Sequence, residues 1–107
     1  MTRRPGFIIE FAPETLAHIE AIERKYHRLI ARTIDEQLSH VPERETRNRK
    51  PLESRSPFAA TWELRFGPAN RFRVFYEVDA TRRTVWILAI GVKEGNRLFI
   101  GREEYTP

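Results

Sequence analysis

The stretch WELRFGPANRFRVFYEVD, residues 62–79, decides the fold. In its first half Trp62, Leu64 and Phe66 alternate with Glu63 and Arg65. In its second half Phe72, Val74, Tyr76 and Val78 alternate with Arg73, Phe75 and Glu77. A period of two marks β-strands with one buried face. Gly67-Pro68-Ala69-Asn70 between them has the composition of a turn, so the two strands make an antiparallel hairpin. Slipping the register by one residue would bury arginines, which fixes the pairing. With the apolar faces aligned, Glu63, Arg65, Arg71 and Arg73 are predicted to meet on the opposite face of the sheet, together with Phe75.

The pattern continues outward from the hairpin. Downstream, a turn at Asp79–Arg83 leads into Val85–Ile90, a run apolar on both sides. Such a run predicts a central strand covered at least partly on both faces. Lys93–Asn96 turns again, and Arg97–Ile100 predicts a short last strand. Upstream, Gly6–Phe11 predicts a first strand, and Pro13 suits the opening turn of a helix. From Leu16 to Val41 apolar residues recur at helical spacing, with no glycine or proline between them. One long helix or a pair bent near Lys25–His27 would satisfy this spacing; two helices are preferred. Pro42 ends the helical segment. Residues 43–60, with two prolines and alternating charge, predict a loop. The order strand, helices, antiparallel meander of three or four strands is an α+β two-layer domain, with the helices on the apolar face of the sheet.

At 107 residues the chain predicts a single domain spanning 1–107. It has no cysteine, which removes disulfides and thiolate metal sites. No apolar run approaches the ~20 residues that cross a bilayer. The apolar patch Phe7-Ile8-Ile9 behind Arg3 and Arg4 is too short for the core of a secretion signal, so a cytoplasmic protein without membrane contact is expected. Lys+Arg number 19 against 15 for Asp+Glu, a formal charge of +4, and only Lys25, Lys50 and Lys93 are lysines. Arginine presents a planar fork that matches phosphate oxygens, so the excess favours a polyanionic partner. His18, His27 and His40 all fall in the helical segment without zinc-ligand spacing, and are expected to be ordinary helix residues. No metal or cofactor is implied.

Three stretches in this order, QLSHVPERETRNRKPLE (37–53), the hairpin itself and TVWILAIGVKEGNRLFI (84–100), resemble the RelE/ParE superfamily of bacterial toxins. The resemblance covers nearly the whole chain. It implies the toxin of a type II toxin–antitoxin system, with a separate antitoxin protein as partner. RelE-like members enter the ribosome and cut mRNA, whereas ParE-like members inhibit DNA gyrase and cut nothing. A shared fold cannot choose between them. The expected function is a ribosome-dependent mRNA endoribonuclease that stops translation. A non-nucleolytic gyrase inhibitor, or a catalytically decayed relative that only binds RNA, is the alternative.

Metal-free RNA cleavage needs a base, an acid and cations that stabilise the phosphorane. On the family pattern, Arg73 matches the phosphate-stabilising arginine and Lys93 the basic residue after the glycine of the closing strand, here Gly91. Arg65 joins Arg73 by pleat parity. The chain departs from the pattern in two places: Glu63 stands where a catalytic lysine is expected, and Phe99 where a C-terminal tyrosine is expected. Phenylalanine moves no proton. Glu63 is then either a substitute base or one member of a cross-strand ion pair. Arg71, Arg47, Arg49, Lys50 and Arg97 are candidate RNA contacts, along with Arg44 and Arg55 of the basic loop. Phe75, on the arginine face, is a candidate for base stacking. Trp62, Phe72 and Tyr76 have core parity and are expected inside.

Overall fold

A computed structural model describes residues 6–53 and 57–106 of the chain. Strand β1 (Ile8–Phe11) is followed by helix α1 (Thr15–Glu20), a 3-10 turn (Arg24–Tyr26) and helix α2 (His27–Leu38). The remaining strands are β2 (Arg49–Pro51), β3 (Trp62–Phe66), β4 (Phe72–Asp79), β5 (Thr84–Glu94), β6 (Arg97–Ile100) and β7 (Glu103–Tyr105). Strands β2 to β7 pair antiparallel in chain order, and β1 pairs parallel with β5. The α+β architecture is the expected one. The sheet is larger than a four-stranded meander, because β2 emerges from the expected loop and β7 extends the C-terminal end.

The helical segment is two helices. They part over Ala21–Tyr26, where the His27 ring lies 2.7 Å from the Ile22 carbonyl oxygen and ties the two sides of the bend. On α2 the residues Ile30, Ile34 and Leu38 lie at spacings of four and are sealed against the sheet. Each such side chain contributes roughly 1.5–3 kcal/mol on burial. The sheet answers with Leu64, Phe66, Phe72, Val74 and Tyr76, so the parity of residues 62–79 holds on this side. The Tyr76 hydroxyl donates to the Pro42 carbonyl at 2.8 Å, and burial raises its pKa far above the usual phenol value.

Strand β5 organises the sheet. Its first half, Thr84–Ile87, pairs with β1, and its last part, Gly91–Glu94, pairs with β6 on the same edge. Strand β4 occupies the other edge, with a bulge: Phe75 faces Ala89 while Tyr76 faces Ile87, leaving Leu88 over. The extra residue shifts the alternation by one. Val85 and Ile87 therefore face the helices, and so does Ile90. This bulge, together with a second apolar cluster, explains why the run looked apolar on both faces. Ala60, Phe75, Ala89 and Ile100 form that cluster on the far side, with Leu52, Leu88, Leu98 and Tyr105 packed against them.

Candidate functional site

The antiparallel register of β3 and β4 sets Arg65 directly opposite Arg73 and Glu63 opposite Phe75. Both arginines therefore rise from the helix-free face of the sheet, as the alternation predicted. Glu63 lies between them: Arg65 Nε donates to Oε1 at 2.6 Å, and Arg73 Nη1 approaches Oε2 at 3.5 Å. The Glu63 and Arg73 side chains are 7% and 11% exposed, whereas that of Arg65 is 37% exposed. Burial pulls the Arg73 pKa below the usual guanidinium value, and the neighbouring Glu63 charge opposes that shift. Arg73 Nε also donates to the Asn70 carbonyl at 3.0 Å, which anchors the guanidinium to the hairpin turn. One carboxylate between two guanidiniums leaves a single net positive charge at the centre of the face.

Other groups share this face by register. Lys50 on β2 stands opposite Glu63 and is exposed. Gly91 stands opposite Arg73, and Lys93 two residues on has the same parity. Lys93 is opposite Leu98, which is opposite Tyr105, so these three make a row across β5, β6 and β7. Tyr105 was missed in the sequence. Its signal is the two-residue turn Gly101-Arg102, both at positive φ, which closes a hairpin and returns the chain as β7. Its half-buried phenol supplies on this face a group able to donate a proton, which Phe99 lacks.

Several expected contacts are placed elsewhere. Arg71 does not join the arginine face: its guanidinium lies 5.2 Å from the Tyr26 ring centre and 3.8 Å from Glu23, on the helix side. The residue precedes β4 in helical backbone geometry, where strand alternation no longer applies. Arg97 also lies on the helix side, because its strand neighbour Phe99 faces Val92 of the main core. It pairs with Glu104 at 2.9 Å and lies over the Phe99 ring. Arg49 is 8% exposed and donates to the carbonyls of Gln37 and Val41, closing the end of α2. Phe75 is 2% exposed in the second apolar cluster, so its ring has no open face for a base. Arg44 and Arg47 are exposed on the segment before β2. Arg55 lies outside the described residues.

His18 also behaves differently from an ordinary helix residue. It is buried, and its Nδ1 accepts from the Ile90 N–H at 3.3 Å. That N–H lies between the part of β5 paired with β1 and the part paired with β6, so an imidazole from α1 caps a donor that neither strand reaches. Burial lowers its pKa below the ordinary 6.5, against a smaller upward pull from Glu14.

A small two-layer α+β domain with a cationic, partly covered sheet face is the class defined by these features. The profile of the family described as "ParE toxin of type II toxin-antitoxin system, parDE" matches residues 9–96. The chain belongs to this family of type II toxins. Among solved structures, it is similar to a chain of the toxin–antitoxin complex RelBE2 from Mycobacterium tuberculosis, with a TM-score of 0.67 at 22% identity. The match covers 82% of this chain and 99% of that one. No curated protein matches in sequence. Among the described residues, no helix is long and apolar enough to cross a membrane.

Proposed function

We propose that the protein is a ribosome-dependent mRNA endoribonuclease that halts translation in the cytoplasm until a cognate antitoxin binds it. The observation that carries this reading is the cross-strand pair Arg65 and Arg73 on the helix-free face. Two guanidiniums at that spacing suit the non-bridging oxygens of one phosphodiester. In the cleavage, the ribose 2′-hydroxyl gives its proton to solvent water or to a base supplied by the ribosome, its oxygen attacks the adjacent phosphorus, and the bond to the 5′-oxygen breaks. The products are a 2′,3′-cyclic phosphate and a 5′-hydroxyl. Arg73 and Arg65 would stabilise the charge on the phosphorane, with Lys93 adding positive potential. Tyr105 is the group on this face suited to protonate the leaving oxygen. Glu63 fits an ion pair better than a base, because both of its oxygens face guanidiniums. Exposed Arg47 and Lys50 would meet ribosomal RNA backbone.

A gyrase inhibitor remains the second reading. It is favoured by the Arg73 side chain being 11% exposed and paired with Glu63, which leaves little free charge. Cell-free translation separates the two. The purified protein should stop protein synthesis, and Arg73→Ala should weaken the effect about 10²-fold or more, as for loss of one transition-state donor. Supercoiling by purified gyrase should be untouched. Inhibited supercoiling with translation intact would overturn the proposal.

A further inference from the structure

The Glu63 carboxylate occupies the place between two guanidiniums that an incoming phosphate would seek. Its Oε1 takes the Nε–H of Arg65 at 2.6 Å, and its Oε2 faces Nη1 of Arg73 at 3.5 Å. Glu63 itself is 5% exposed, so solvent does little to screen its charge. We infer that Glu63 is a built-in competitor of the phosphodiester, an internal anion that holds the two arginines in place and weakens their hold on RNA. This inference rests on the phosphate-binding reading of that face.

Two properties of the pair give the inference its physical content. A charge-assisted hydrogen bond as short as that to Arg65 must be loosened or shared before the guanidinium turns its fork to a phosphate. The carboxylate also repels a phosphate across a few ångströms of partly dry protein, and neither effect needs a change of fold. The site is therefore tuned to a weak grip on free RNA. Tight engagement would require further contacts, such as those a ribosome supplies. A neutral side chain at position 63 would remove the repulsion while leaving Arg65 and Arg73 opposite each other, because the strand register is set by the core side.

The test compares the wild-type chain with Glu63→Gln, Glu63→Thr and Arg73→Ala. Thermal unfolding first confirms that each is folded. Binding is measured to a single-stranded RNA carrying 2′-deoxy sugars, which cannot be cleaved, over a series of salt concentrations. The neutral variants should bind roughly tenfold tighter at low salt, with the gap narrowing as salt rises. The slope of log affinity against log salt should steepen by up to ~0.7, the value for one more neutralised phosphate on a single strand. Folded neutral variants that bind no tighter than wild type would overturn the inference. Failure of both neutral variants to fold would make Glu63 a structural ion pair and also overturn it. If Arg73→Ala binds as well as wild type, the phosphate-binding reading itself falls, which is a separate result.

Discussion

A guanidinium can end on a carbonyl, an aromatic ring or a carboxylate, and this chain uses all three. Arg49 ends on the carbonyls of Gln37 and Val41, Arg71 lies over the Tyr26 and Phe72 rings, and Arg65 and Arg73 converge on Glu63. Replacing Arg49 with Met should strand two carbonyls at the end of α2 and cost about 2 kcal/mol in urea unfolding. Sparing translation arrest once the variant is folded would agree with a structural role. His18 makes a prediction about pH. Its folded pKa lies below the ordinary 6.5, so between those values the unfolded chain binds a proton that the folded chain refuses. Stability should be fully present above 6.5 and fall as pH drops toward the folded value. His18→Asn keeps an acceptor for Ile90 N–H without titrating. The melting temperature of the wild type should drop faster with acid than that of the variant; parallel curves would contradict this. None of these assignments follows from residue type: the sequence shows which face a strand residue occupies, not what its charged end reaches.

At the scale of elements, legibility followed the strength of the period. The hairpin of β3 and β4 and the amphipathic α2 were readable because alternation or helical spacing ran without interruption. The same unbroken spacing left one helix or two open, and the break between α1 and α2 over Ala21–Tyr26 carries no glycine or proline to mark it. Strand β2 hid in a stretch of three residues that carries no period of its own and is defined by its pairing to β3. Strand β7 hid behind a short turn, and with it Tyr105. In β5 the bulge at Leu88 changes parity mid-strand, which no fixed alternation can express. Phe75 was misassigned for a related reason. Its parity is the expected one, but Leu52, Ala60 and residues of β5, β6 and β7 cover part of that face with an apolar cluster. The turn between β3 and β4 offers a direct test of the element. Gly67 has φ of +84°, and a Cβ there would lie 2.3 Å from Cδ2 of Phe72. Gly67→Ala should destabilise by roughly 2 kcal/mol or more, through strained backbone and overpacking. A loss below ~0.5 kcal/mol, the range of ordinary surface changes, would contradict the turn geometry.

The two sides of the sheet differ in chemistry. One side of the sheet is covered by helices α1 and α2, and on it Arg49, Arg71 and Arg97 are tied to carbonyls, rings and carboxylates. The other side brings together Arg65, Arg73, Lys50, Lys93 and Tyr105 around a partly covered floor. The most direct test of the account is to map mRNA 5′ ends in cells that briefly express the protein, alongside Arg73→Ala and Arg97→Ala. New ends inside reading frames should appear with the wild type, persist with Arg97→Ala and vanish with Arg73→Ala. Growth arrest without new ends, or ends lost with Arg97→Ala and kept with Arg73→Ala, would contradict the assignment of RNA cleavage to the helix-free face.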